Sequence, residues 1–331
     1  MSKGSTNLKK FRFKANFEKA VLSIYEAATT GRGIFEGGYD IWKKKYLPEW
    51  RLPLDMEFNP QTEETRKPLE AAEYLWTSLS FERRNKSSTL HLYLHNIWDH
   101  PEKRWFFRAN EVAKRSIHEL REVILGDIHY NLNEPVPKFL ANAKKLIKEY
   151  GGDPRNTIKG RTVEQARKNL MEFEGIATGN ANLAVLHFIH RRLALPTDPE
   201  NALFKVDIHK ARIPLNVEGI VMLNGDKVLH PTTIASDFEQ HYWEICKKHK
   251  LNPNIADSAL WVIGSEVCAK RGLAYCLAGC PLQHNGLCKV NTPLARRQGD
   301  YLLFDENGNR PETRREIDQI FFTSLYSSRF K

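Results

Sequence analysis

The stretch from Thr162 to Ile189 constrains this chain most. Thr162-Val163-Glu164-Gln165 is a capping-box signature that opens a helix. Apolar residues then recur at Val163, Ala166, Leu170 and Phe173, the spacing of one helical face. Gly175 and Gly179 interrupt the pattern, and Asn180 restarts a helix through Leu183, Leu186 and Ile189. The expectation is a helix, a glycine-bearing hairpin and a second helix. Backbone N–H groups at such a hairpin and at the next helix N-terminus carry partial positive charge and suit a phosphate. A plain helix–helix turn has the same pattern, so company decides. That company is Asp207, set in the apolar run Phe204–Ile208, and four of the five cysteines, gathered at Cys268, Cys276, Cys280 and Cys288.

Those features together resemble the endonuclease III-like helix-hairpin-helix DNA glycosylases. The segment Phe173-Glu174-Gly175-Ile176-Ala177-Thr178-Gly179-Asn180 is similar to that family's hairpin. Val206-Asp207-Ile208-His209-Lys210-Ala211-Arg212 is similar to its aspartate motif, and Cys280-Pro281-Leu282 to its iron–sulfur loop. The resemblance covers roughly residues 68–288. It implies an all-α fold in which a six-helix bundle carries the hairpin and a second helical domain carries a 4Fe–4S cluster loop. The expected division is an N-terminal extension, 1–67, packing with the C-terminal domain; the bundle, 68–200, with the motif at about 163–194; and a cluster domain with a tail, 201–331.

By the same resemblance, Asp207 is the expected catalytic carboxylate. Gly175, Ala177, Gly179, Asn180 and His209 are expected to contact DNA. Glu82, Arg83 or Phe81 is the candidate to fill the gap left by an everted base, since chemistry on a paired base requires removing it from the stack; an ordinary charged helix end is the competing reading of Ser80–Asn85. A carboxylate beside C1′ stabilises the oxocarbenium-like state of glycosidic cleavage or activates water. Bifunctional members carry a lysine nucleophile on the second hairpin helix. Here Gly179 takes that position, and no lysine falls between Lys168 and Lys205. The expected activity is therefore a monofunctional glycosylase using water. Two alternatives stay open: a lyase with a relocated lysine, Lys168 or Lys210, and a non-catalytic Fe–S protein that binds or recruits to DNA. Asp207 also reads as an ordinary helix N-cap.

The cysteines are separated by seven, three and seven residues, each gap longer than in the family. Four thiolates suit tetrahedral zinc or a 4Fe–4S cluster; the Cys280-Pro281-Leu282 context favours the cluster. Cys246 stands apart and reads as a small buried hydrophobe.

Lys and Arg outnumber Asp and Glu by 50 to 40, a net charge of +10, which fits a polyanionic partner such as duplex DNA. No apolar run approaches the ~20 residues that span a bilayer. Met1–Lys14 has no apolar segment of the secretory type. The expectation is a monomer of the cytoplasm or nucleus, not secreted. Helices are also expected over Phe17–Ala28, Asp40–Tyr46, from Pro68, around Leu90–Trp98, over Ala109–Leu125, around Phe139–Tyr150, and from a second capping box, Ser236–Glu239, to Lys250. Asn224-Gly225 suggests a hairpin turn. Arg51–Lys67 reads as a linker or wrapped loop, and Arg104-Trp105-Phe106-Phe107-Arg108 as core aromatics or a stacking surface.

Overall fold

The computed structural model describes residues 11–47, 52–59, 64–65, 67–82, 87–129, 135–217, 219–222, 231–268, 276, 279–288 and 304–305. The chain divides into two compact units: Leu47–Lys205, and a second formed from Met1–Tyr46 with Val206–Lys331. Residues 47–67, read above as part of the extension, fall in the unit that contains the bundle. No described helix is long and apolar enough to cross a membrane.

The first unit is a helical bundle. Its helices are α3 (Pro68–Phe81), α4 (Ser87–Asp99), α5 (Ala109–Val112), α6 (Ile117–Arg121), α7 (Pro135–Tyr150), α8 (Val163–Met171) and α9 (Thr178–His190). One core joins Leu75, Trp76, Leu79, Phe106, Phe139, Leu170, Phe173 and Val185 from most of these elements. The Arg104–Arg108 aromatics resolve to core: Phe106 and Phe107 are fully buried, and Phe106 lies 4.9 Å from Phe139.

Two expectations for this unit need correction. Ala109–Leu125 is not one helix. The chain breaks after Val112, and Ser116 opens a new helix with a full capping box, its side chain accepting from Glu119 N–H while Glu119 accepts from Ser116 N–H. A reciprocal cap is worth about 1 kcal/mol, enough to set a start inside an otherwise helical pattern. A π-helical segment, Glu122–Asp127, follows. The 51–67 stretch is not featureless either: β2 (Phe58–Asn59) and β3 (Glu64–Thr65) pair antiparallel.

The bundle buries a set of polar side chains. Between α3, α4 and α9 lie Tyr74, Thr77, Ser78, His91, His187 and Arg191, none more than 8% exposed. Burial drives the His187 imidazole well below its ordinary range, reinforced by Arg191, His190, His91 and Lys205. A depressed histidine stays neutral in the fold but takes a proton when unfolded. Its contribution to stability is therefore lost as pH falls below about 6.5. Glu73, whose carboxyl burial raises to about 7, titrates in the same window with the opposite sign. The expected result is a difference: between pH 7.5 and 5, a folded His187→Leu variant loses less melting temperature than the parent. Equal losses would remove His187 from the account.

The second unit holds α1 (Ala15–Thr30), α2 (Tyr39–Tyr46), α10 (Ile208–Asn216), α11 (Pro231–His249), α12 (Pro253–Val262), a π-helical segment Ile263–Cys268, and α13 (Pro281–His284). α11 begins at Pro231, so the Ser236–Glu239 capping box lies inside it rather than at its start. β1 (Phe11–Phe13) pairs antiparallel with β4 (Ile220–Met222), Arg12 opposite Val221. β4 runs parallel to β5 (Phe304–Asp305). The Asn224-Gly225 turn lies outside the described residues.

Long-range contacts hold the N-terminal segment in this unit. Glu18 meets Lys248 at 2.8 Å and His249 at 2.6 Å. Its carboxyl is thereby held below the usual range, by the Lys248 hydrogen bond first and His249 second. Ser23 donates to Pro281 O, and Asn285 donates to Ser23. Gly33 at φ 62° and Gly279 at φ 109° are so close that a Cβ on Gly33 would stand 2.1 Å from Gly279 O. The N-terminal segment is thus a wall of the cysteine-bearing loop.

Candidate functional site

The hairpin residues lie within the bundle unit. Thr162 accepts from Gln165 N–H and starts α8, and Asp198 adds a second cap by accepting from Val163 N–H at 2.6 Å. That second cap comes from the segment after α9. Thr197 N–H to Arg161 O, at 2.7 Å, pins the same segment.

Gly175 sits at φ 99°, a region that L side chains rarely adopt. A Cβ there would meet no described atom within 4 Å, so the backbone at this turn is open to close approach. Asn142 of α7 braces the turn: its amide donates to Glu174 O and its oxygen accepts from Glu174 N–H, both at 2.8 Å. α9 then begins after Ala177, which has no side-chain acceptor to cap it. An uncapped helix start beside an open glycine turn is the arrangement that binds an anion.

Gly179 is not an empty position. A Cβ there would lie 3.5 Å from Cγ of Lys205, whose stem therefore passes over it. The Lys205 ammonium meets Glu82 Oε2 at 3.1 Å, with Glu82 side chain 8% exposed. Glu82 is thus held in an ion pair rather than standing free as a wedge. Arg83 lies outside the described residues.

Of the other lysines considered, Lys168 is exposed on α8 beside Glu164. Lys210 belongs to the other unit, buried at 2% in an ion pair with Asp257.

Asp207 stands in the second unit at the start of α10. Its Oδ1 accepts from His209 N–H at 2.9 Å and Lys210 N–H at 3.1 Å. Its Oδ2 accepts from the Trp261 indole N–H at 3.1 Å. The cap reading is therefore correct as far as it goes. The Trp261 bond goes further, because it fixes the second oxygen and so the plane of the carboxylate. The group remains half-buried, neither sealed nor free to rotate. His209 is also half-buried, its ring 5.6 Å from Trp261 and edge-on. Gly264 lets the two helical segments touch: a Cβ there would stand 2.1 Å from His209 O.

The four cysteines lie in this unit too. Cys280 ends a turn, its N–H bonding to Cys276 O at 3.2 Å, and caps α13. Cys288 N–H returns to Leu282 O at 3.0 Å. Burial pushes the Cys268 thiol well up, and the neighbouring Cys280, Cys288 and Cys276 push it further. Cys280 rises to about 11, from burial first and with Cys276 and Cys288 adding, against two backbone N–H groups that lower it. Among the described residues, no group of three or more His, Cys, Asp or Glu has closed to metal-holding spacing. Cys246 is 3% exposed, its thiol pushed up to about 12 by burial, as expected of a small core hydrophobe.

Asn142, Trp261 and Lys205 were not singled out as site residues from sequence. Asn142 had a signal: a polar residue on the stripe Phe139, Ala143, Leu146 of an otherwise apolar helix face. Trp261 and Lys205 had none.

No protein-family model matches this chain. No curated protein matches it. Among solved structures it is similar to a thermostable thymine-DNA glycosylase, with a TM-score of 0.50 at 15% identity, covering 83% of this chain and 96% of that one. At that identity the likeness is one of fold, and the chain's helical architecture is that of the glycosylase.

Proposed function

We propose that this chain is a DNA N-glycosylase of the helix-hairpin-helix type, hydrolysing the bond between deoxyribose and a damaged, mismatched or modified base in duplex DNA. The observation that carries this reading is Asp207. Both of its oxygens are fixed, by two backbone N–H groups and the Trp261 indole, while the group stays half-buried. A preorganised carboxylate of that kind stabilises positive charge developing at C1′ without reorganising as it forms. The Gly175 turn and the uncapped start of α9 fit a DNA phosphate, and the +10 net charge fits a polyanion. The solved glycosylase of like fold supports the same reading.

Water is the nucleophile in this reading, and the enzyme is monofunctional. Lys205 over Gly179 is the observation that favours a lyase instead. Its ammonium is engaged by Glu82, and an ammonium has no lone pair to attack C1′. The test is a panel of duplexes each carrying one modified or mismatched base, with released bases identified by mass spectrometry. The expected product is a free base and an intact abasic strand that breaks only with alkali or heat. Binding without release from any duplex would instead support the non-catalytic alternative. Borohydride is expected to trap no enzyme–DNA adduct; an adduct that disappears in Lys205→Ala would establish the lyase.

Cys268, Cys276, Cys280 and Cys288 would hold a 4Fe–4S cluster. Four cysteines grouped within residues 268–288, with Cys280 buried and the other three half-buried, are a donor set that a cationic centre would convert to thiolates. When bound, the cluster would serve as a structural tie across residues 268–288. Anaerobically purified protein is expected to be brown with about four irons per chain. Colourless protein with one zinc per chain would replace the cluster with a zinc site.

A further inference from the structure

At the far end of α9 from the hairpin, a cavity of about 390 Å³ opens in the bundle unit. Arg155, Lys159 and Arg192 line it with Asp153, against a wall formed by Leu193, Ala194 and Leu195. Asp153 is committed to Arg155, with its oxygens 3.0 Å from Nε and one of them 2.7 Å from Nη2. Three cations against one carboxylate leave the lining at +2. Lys159 and Arg192 are exposed, and Leu195 is 54% exposed, a large apolar side chain at the rim.

Arg192 makes the cavity more than a basic surface. It follows the C-cap Arg191 of α9 and stands at φ 53°. Leu193 N–H and Ala194 N–H both return to Phe188 O, so Arg192 occupies the left-handed position that closes a helix. Glycine or asparagine is the usual residue there, because a larger L side chain is strained. The helix dipole favours a cation near this end, but Arg191, one residue earlier and unstrained, already supplies it.

We infer that this cavity is a second, nucleotide-binding site. The phosphate would lie between Lys159 and Arg192, and the sugar or base against Leu195. Guanidinium groups take phosphate bidentately and stack on planar rings, and the volume lies in the range of small-ligand sites. α9 separates the cavity from the Gly175 turn by a helix of 13 residues, about 20 Å at 1.5 Å per residue. The site is thus distinct from the hairpin. Its occupant is either a free mononucleotide or an unpaired nucleotide of a DNA strand.

The test uses the full-length protein with three probes: thymidine monophosphate, an eight-residue oligothymidylate and inorganic phosphate. Calorimetry and fluorescence anisotropy follow binding. The parent should bind a nucleotide probe saturably and more tightly than phosphate. Oligonucleotide binding tighter than the mononucleotide's and weakened in the variants below assigns the site to a DNA strand; equal binding of the mononucleotide, weakened in the same variants, assigns it to the free nucleotide. Arg192→Gly removes the side chain and the strain together, so its melting temperature should match or exceed the parent's. Nucleotide binding should weaken about tenfold, and the salt slope for the oligonucleotide should fall by about 1. Lys159→Gln, on an exposed side chain, provides a second variant with the same expectation. No nucleotide binding by the parent, or unchanged binding in both variants, would overturn the inference. So would phosphate binding as tightly as the nucleotides.

Discussion

Asp207→Asn is expected to slow base release by at least about a hundredfold while leaving duplex binding intact. Loss of one preorganised electrostatic contact costs about 2.7 kcal/mol or more in the transition state. Binding should hold or tighten, because under the proposed function a carboxylate is removed from a surface that faces a polyanion. The geometry warns of a side effect. Asp207 accepts N–H donors on both oxygens, from the α10 backbone and from Trp261. Asparagine must turn its NH₂ towards one of them, and two donors then face each other. A destabilisation of about 1–3 kcal/mol is expected from that mismatch alone. Trp261→Phe separates the two effects. It removes the indole donor but keeps the carboxylate, so it should retain much more activity than Asp207→Asn. The double variant should recover part of the lost stability and none of the lost rate. Parent-rate base release by a folded Asp207→Asn protein would falsify the catalytic assignment and leave only a helix cap.

Gly264→Ala should damage stability and the site together. A Cβ at Gly264 would stand 2.1 Å from His209 O and 2.5 Å from its carbonyl carbon. Both are backbone atoms, so no side-chain rotation relieves the clash; α10 or the 263–268 segment must move. Overpacking of this kind costs on the order of 3 kcal/mol. His209 N–H is also one of the donors that fix Asp207 Oδ1. Activity in the surviving folded fraction should therefore fall as well. Gly126→Ala is the control. Its Cβ would meet no described atom within 4 Å, and its φ is not among the positive values. It should be neutral or slightly stabilising. Equal melting temperatures for the two variants would show that α10 and the 263–268 segment are not in contact as described.

The helical class of the fold follows from local rules. Each major helix of the bundle has its own apolar stripe, and many have their own start or stop signal. Thr162 caps α8 as the sequence indicates, and Gly151, at positive φ, follows the end of α7. Gly175 occupies the positive φ that a hairpin between two helices needs. Local rules fail where a stronger local signal competes, as when Ser116 restarts a helix within 109–125. They also fail where a capping pattern occurs inside a longer helix, as at Ser236 in α11.

The sequence by itself determined the helical class, the hairpin and its glycine, and the grouping of a carboxylate and four thiols near the C-terminal side. Tertiary structure alone decided what those groups touch. The partner that orients Asp207, Trp261, is 54 residues away. Lys205 reaches Gly179, 26 residues away. β1 finds β4 across more than 200 residues, in a register of three pairs too short to carry a periodic signal. The physical reason is the range of the forces. Helix periodicity, caps and glycine conformations act over about four residues and are written in the local sequence. A hydrogen bond between distant side chains depends on how whole helices pack, and no window of sequence contains that.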